Sequence, residues 1–464
     1  MLFGMSKLAK KLPNKLGTKK PVALPKRPMI VVPPDASTWG SCISITPNLI
    51  SAYLPLLGAT AQTVSFGRRS TPMETLHAAQ KIAAYSPSHL IFVDHERHPH
   101  DLLVALHMFY KLRKFPQLIF HVYGDFTLFT QNWLKSESLL KQKEIKFISA
   151  SPRQKALIGS FVKKPDQLTD VCHFPVSSEE FSFISVLRRQ AREKYKIDKS
   201  EFTLIYTGRI SLQKNILSLI FHASQKMESL GANYRIILAG AFDDMGSPLF
   251  GLRQRGGDYF RGFQRFLENM PEQRRSKIHY IGHLGKQELR ELYHAADLFL
   301  SFSTHHDEDY GMSPIEALMC GTKTLISDWG GYAGFALNKG GSGDHACRLL
   351  PVKLANESGA RVLLEKFHPS LSSIYSEWIQ ETDALRDQRA ALYAQHFNIQ
   401  AATDKIRHAL AKPATKFAGF TENLRLHAKL SKAMMSRGFM FAPKKSPDTN
   451  YRKFYKYYSS DLTK

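Results

Sequence analysis

Short runs dense in Ile, Val and Phe alternate along this chain with stretches of helical spacing, and no other feature limits its fold as much. PMIVVPP near 30, QTVSFG near 64, HLIFVDH near 92, QLIFHVYG near 120 and EIKFISAS near 147 read as strands buried on both faces. Between them lie segments such as LLVALHMFYKL from Leu102, with apolar residues at helical positions. A polar, charged helical stretch around 184–198 leads to a second series. Its strands are FTLIYTG near 204, YRIILAG near 237, KIHYIGHL near 280, DLFLSFS near 299, TKTLISD near 325 and ACRLLPV near 349. Alternating strands and helices lay the strands parallel, because a parallel crossover needs a connection about as long as a helix. Such a sheet is covered on both faces and binds ligands at the carboxyl ends of its strands. The expected fold is α/β, with two such domains meeting near 180–200.

At 464 residues the chain is long enough for two or three cores. An apolar content of 43% and an aromatic content of 11% argue against a disordered chain. No run approaches the roughly 18 consecutive apolar residues of a spanning helix. Lysines interrupt the start, where a signal peptide would be apolar. Cys42, Cys172, Cys320 and Cys347 lie far apart, which argues against a zinc site or disulfide framework and for a reducing compartment.

The formal net charge of +24 is concentrated at the ends. Residues 1–28 hold eight Lys/Arg and no Asp/Glu; residues 411–464 hold twelve against three. These ends read as a basic N-terminal extension and a basic C-terminal tail. They are solvated tails, contacts to an anionic membrane surface, or contacts to nucleic acid. LFGMSKLAKKL (2–12) places Leu2, Met5, Leu8 and Leu12 at helical spacing among lysines, as an interfacial helix would. YRKFYKYY (451–458) would stack on bases or lie among lipid headgroups.

The segment richest in chemistry is HHDEDYGMSPIEALMCGT, 305–322. It follows an apolar strand, holds Gly311, and begins a helix at Ser313-Pro314, where the missing N–H of proline costs nothing. The free N–H groups and the dipole of that helix favour a bound anion. Glu308 in the loop and Glu316 in the first turn, with seven residues between them, would grip hydroxyls on either side of a bound phosphate.

This segment resembles the Glu-x7-Glu motif of retaining glycosyltransferases of GT-B architecture, the group 1, family 4-like type. YTGRISLQKN (206–215) is similar to the family's strand-end loop. The resemblance gives Gly208 to that loop and implies that Arg209 and Lys214 bind the donor diphosphate. HYIGHLGKQELRELYHAADLFLSFS (279–303) resembles the stretch between the two motifs, which implies that His283 and Leu284 face the nucleobase. The match runs over roughly 200–330. It implies two Rossmann-like domains facing across a cleft, 29–185 for the acceptor and 196–371 for the nucleotide sugar, with helices of 372–410 crossing back to the first.

The residue types suit that chemistry without the family. Breaking a sugar–phosphate bond leaves new negative charge on a nucleoside diphosphate. Preorganised cations and helix N–H groups stabilise such charge by on the order of 3 kcal/mol per good donor. Arg209 offers a planar fork and Lys214 a point charge, together enough to replace a divalent metal. No metal and no cofactor is therefore expected. Glu316 would hold the ribose, and Glu308 with the backbone of Gly311, Met312 and Ser313 the donor sugar.

Each residue has a plainer reading. Ser313 and Glu316 also fit a helix capping box. Glu308, between Asp307 and Asp309, fits a solvated acidic loop, and isolated Arg209 and Lys214 would be surface cations. His305 and His306 fit a metal or an unligated loop. In the N-terminal half the family places a histidine just before a strand-end glycine. Here Tyr123 occupies that position, with His121 and Asp125 flanking it, and these three are the acceptor-side candidates. His121 equally fits a satisfied core histidine. Asp94 and His95 end another strand, Trp39-Gly40-Ser41 stands weakly for a glycine-rich first loop, and the glycines of WGGYAGF (329–335) agree with the family.

The expectation is a retaining, metal-independent hexosyltransferase that moves a sugar from a nucleoside-diphosphate sugar to a glycan or lipid-linked acceptor. The alternatives are an inactive GT-B-like sugar or partner binder and a basic nucleic-acid-binding protein. A cytoplasmic location is expected, peripheral on the inner face of the cytoplasmic membrane under the membrane reading of the basic ends.

Overall fold

The computed structural model of the protein describes residues 27–33, 40–58, 61–67, 70–93, 99–110, 114–123, 125–243, 257–305, 308–337, 346–355, 359–436 and 450–460. Residues 1–26, Trp39, Asp94, His95, His306 and Asp307 lie outside these, as do the side chains of Ser41 and Asp125.

The first sheet contains β1 (Pro28–Val32), β2 (Gln62–Ser65), β3 (His89–Phe92), β4 (Gln117–Val122), β5 (Glu144–Ser149) and β6 (Thr169–Val171). They pair in parallel in the order β2-β1-β3-β4-β5-β6. The second contains β7 (Phe202–Thr207), β8 (Tyr234–Ala239), β9 (Ile278–Gly282), β10 (Leu298–Ser301), β11 (Lys323–Ser327) and β12 (Cys347–Leu350). These are also parallel, in the order β9-β8-β7-β10-β11-β12. All eleven apolar runs read from the sequence are strands.

Strand order locates the binding crevices. In the second sheet the chain builds outward from β7 to one side and then from β10 to the other. The crevice above the ends of β7 and β10 is thus a topological switch point, where no loop crosses and ligands of such sheets bind. β13 (Val352–Ala355) and β14 (Gly359–Val362) form a separate antiparallel hairpin.

Buried polar contacts fix the linker. The helix Ser185–Lys194 lies on the second domain, where Arg188 and Arg192 reach Asp297 at 2.7 and 3.2 Å. Arg386 reaches the same carboxylate at 2.8 Å from the helix Asp383–Phe397. Burial alone would raise the Asp297 carboxyl, but the three guanidiniums outweigh it and hold it below its ordinary value. Burial in turn brings Arg386 down to about 9. The chain returns at Asn398, later than the expected start at 372. Val176 N–H donates to Phe397 O at 3.0 Å, and the next helix, Ile399–Ala411, meets the first domain, with Thr403 Oγ1 on Ala52 O at 2.9 Å.

The described residues of 411–464, 411–436 and 450–460, depart from the reading of this segment as a basic tail. β15 (Thr415–Lys416) pairs antiparallel with β5, and Phe417, Phe420 and Leu424 are buried in the first domain's core. Tyr451, Phe454, Tyr455 and Tyr458 join that core, so these aromatics are not free for bases or lipid headgroups. Apolar burial at roughly 25 cal/mol per Å² outweighs what the lysines would gain from a fully solvated tail.

Candidate functional site

β7 is buried throughout and ends at Thr207, after which Gly208 takes a φ of +136°. The chain turns through Arg209 into the short 3-10 turn Leu212–Lys214 and the helix Ile216–Ser229. Arg209 Nη1 stands 3.1 Å from the carboxylate of Asp243, which is fully buried at the end of β8's loop. With the Gln213 amide oriented as its neighbours require, its oxygen accepts from both Arg209 terminal nitrogens at 2.7 Å, and its nitrogen donates to His305 Nδ1 at 3.1 Å.

Lys214 binds the neighbouring loop. Its Nζ is ion-paired with Glu308 and lies 3.4 Å from Ser303 Oγ, and Ser303 Oγ donates to the same Glu308 oxygen at 2.5 Å. Both charged residues are buried. Burial lowers the Lys214 ammonium below its ordinary value, and Glu308 opposes that shift. Asn215 Nδ2 adds bonds to Phe302 O at 2.8 Å and Thr304 Oγ1 at 3.1 Å. The loops after β7 and β10 are thus sewn together across the switch point.

Glu316 occupies a second, drier place. The helix runs from Met312 to Met319 with Gly311 as its N-cap and no side-chain cap bond, so the capping box is not formed. It starts one residue before Ser313, and Pro314 still falls among the first N–H positions that lack partners. Gly311 has a φ of +96°, and a Cβ there would lie 2.2 Å from Tyr332 Cε1, so the turn accepts only glycine. Glu316 accepts from Tyr293 Oη at 3.0 Å, and Tyr293 Oη is also 2.8 Å from Thr207 Oγ1. Burial pushes the Glu316 carboxyl up to about 7.

The structure therefore brings Arg209, Lys214, Glu308 and the start of the helix at Met312 to one crevice. Glu308 is not a solvated loop residue, nor is Lys214 a surface cation. His283 is exposed and Leu284 half-buried, just after β9 and before the helix Lys286–Ala295. Asp243, Gln213, Ser303 and Tyr293 were missed by the sequence reading. The only sign of Asp243 is its place three residues after a strand-end glycine, Gly240.

The acceptor-side candidates divide. His121 is fully buried, with Nε2 2.6 Å from Tyr53 Oη and the two rings edge to face. It is a core histidine, because the face of β4 that carries it is covered by the helix Gly40–Leu57. Tyr123 lies just beyond β4, its ring 4.7 Å from Phe174, whose ring is 5.4 Å from Tyr310, two residues after Glu308. Asp125 begins a short helix, Asp125–Leu128.

Among the described residues no helix is long and apolar enough to cross a membrane. Residues 188–343 match the family model described as "Glycosyl transferases group 1". No curated protein sequence matches the chain. Solved structures share its architecture at low identity. HepE of Anabaena, in complex with UDP-glucose, is 14% identical, with a TM-score of 0.59 over 83% of this chain and 100% of that one. A glycosyltransferase from Rickettsia africae is 15% identical, with a TM-score of 0.59 over 83% and 99%. Sucrose-phosphate synthase from Thermosynechococcus elongatus is 14% identical, with a TM-score of 0.55 over 82% and 98%. A buried cation pair and a helix N-terminus at the switch point, the match over 188–343 and the shared two-sheet architecture agree: the chain has a fold of the GT-B type, and its second domain is similar to the glycosyl transferases of group 1.

Proposed function

We propose that the protein is a retaining, metal-independent hexosyltransferase that uses a nucleoside-diphosphate sugar. The observation that carries this reading is the pairing of Arg209 with Asp243 and of Lys214 with Glu308 at the β7–β10 crevice. Each cation is preorganised by a buried carboxylate, close to the start of the helix Met312–Met319. An incoming diphosphate draws both cations onto its oxygens, and the freed Glu308 turns to the hydroxyls of the donor sugar. Glu316 takes the ribose, and His283 and Leu284 lie where the base would reach.

The bond from the anomeric carbon to the phosphate oxygen breaks, with Arg209, Lys214 and the helix N–H groups stabilising the charge left behind. A bond forms from the acceptor oxygen on the same face, and the acceptor proton passes to the departing phosphate oxygen. Positive charge from the two side chains takes the place of a divalent ion. The UDP-glucose complex of HepE supports a UDP-linked sugar as the first donor to try. A glycan or lipid-linked acceptor enters over the first domain, near Tyr123. The basic extension 1–26 holds the enzyme at an anionic membrane surface.

A second reading, an inactive sugar-nucleotide binder, is favoured by the full burial of His121. Incubation with a panel of nucleotide sugars and assay of released nucleoside diphosphate separates the two. Release, with retained configuration in the product, supports the enzyme; tight nucleotide binding with no release under any acceptor supports the binder.

A further inference from the structure

The C-terminal aromatic segment ends against the carboxylate loop. Tyr458, fully buried, donates its hydroxyl to Asp309, 149 residues earlier in the chain and adjacent to Glu308. Its ring lies 5.8 Å from that of Trp329, edge to face, and Trp329 Nε1 donates to His305 O at 2.6 Å. Gly330 leaves room for this contact: a Cβ there would lie 2.0 Å from Glu308 O and 3.3 Å from Tyr458 Cδ2. Arg153, on the first domain's helix Pro152–Phe161, ties the assembly down. It donates to Tyr458 O at 2.8 Å and pairs with Asp328 at 2.7 Å. Ser459 bridges to Trp329 and donates to Val352 O at 3.0 Å.

The loop carrying Glu308 is therefore gripped from two sides. Lys214 and Ser303 hold the carboxylate itself, Trp329 and the Gly331 N–H, 2.7 Å from Glu308 O, hold the backbone at His305 and Glu308, and Tyr458 holds the side chain of Asp309. We propose that the segment 450–460 is part of the donor site, with Tyr458 acting through Asp309 as a positioning residue for Glu308. This rests on the proposed transferase reading for its kinetic consequence, but not for its effect on the loop.

Tyr458→Phe removes only the hydroxyl and keeps the ring in the core. Amide exchange at Glu308 and Gly331 should quicken about tenfold while the global melting temperature stays near that of the parent. With UDP-glucose or whichever nucleotide sugar turns over, kcat should fall about tenfold, the scale of one hydrogen bond to a charged group, and donor KM should move less than about twofold. Asp309→Asn, whose amide oxygen still accepts, should restore most of the kcat that Asp309→Ala loses. In a Glu308→Gln background Tyr458→Phe should cost nothing further, because both act through one carboxylate.

Unchanged loop exchange in Tyr458→Phe overturns the proposal. So does faster exchange with unaltered kcat, or a full second loss on top of Glu308→Gln. If the parent protein turns over no nucleotide sugar, the transferase reading fails separately, and the exchange measurement alone decides whether the segment holds the loop.

Discussion

Tyr293 Oη lies 3.0 Å from a carboxylate oxygen of Glu316 in a site so dry that the carboxyl is pushed up to about 7 from 4.5. Folding therefore raises this group's proton affinity. Its favourable contribution to stability is complete below about pH 4.5 and is lost as the pH rises through about 7.

Glu316→Gln should abolish that pH dependence. Above pH 7 the variant should be more stable than the parent, by an amount on the order of a few kcal/mol. UDP binding should weaken about tenfold, since a neutral amide is a poorer acceptor for ribose hydroxyls. Thermal melts from pH 5 to 9 and titration calorimetry check both. A variant that melts lower at every pH and binds UDP as before would return Glu316 to a purely structural role.

Arg209→Ala and Lys214→Ala should each lower turnover at least about tenfold, because each removes charge facing the leaving diphosphate. Each also removes the cation paired with a buried carboxylate, so some loss of melting temperature is expected with it. Turnover by the parent should persist in excess EDTA. Complete loss that magnesium restores would show that a metal supplies the charge assigned to these two side chains.

Asp297→Ala tests what joins the linker to the second domain. Three guanidiniums would lose their shared carboxylate in a buried site, at a cost of about 3–5 kcal/mol. Asp297→Asn should cost less, since its one amide oxygen still accepts from Arg188 and Arg386 at the Oδ1 position. Denaturant titrations of the two variants check the order; equal stability would mean that packing, not charge, holds the helix Ser185–Lys194.

Deleting residues 1–26 should leave nucleoside diphosphate release unchanged and sharply reduce binding to vesicles containing anionic lipid. Basic residues near such a surface contribute about 1 kcal/mol each, so the parent's binding should fade with added salt. Sedimentation with vesicles at two ionic strengths is sufficient; undiminished binding of the shortened chain would remove the membrane reading of this end.

The strands were legible because parallel strands buried on both faces leave continuous apolar runs, as in Phe202–Thr207. β6, β13, β14 and β15 were not, each being no more than four residues long. Arg209, Lys214, Glu308 and Glu316 were singled out by the resemblance of two segments to a known family's motifs. Their partners were not. Asp243 and Tyr293 matter through tertiary placement, and nothing in YRKFYKYY says that one of its tyrosines will meet Asp309. Period-two alternation put His121 and Tyr123 on one face, but which face a helix would cover is decided by chain far away, at Gly40–Leu57 and Ile399–Ala411.

The paired crossings at Val176 and Asn398 give the two sheets a common axis, since the chain passes between them twice at one place. Arg153 joins the sheets a second time, through Asp328 and Tyr458. Two separate attachments leave little rotational freedom: any opening about the crossings must either stretch the Arg153 contacts or carry Tyr458 away from Asp309. Opening of the crevice is then opposed by Arg153, Tyr458 and Ser459 together, and its energy is set partly by residues far from the cations in it.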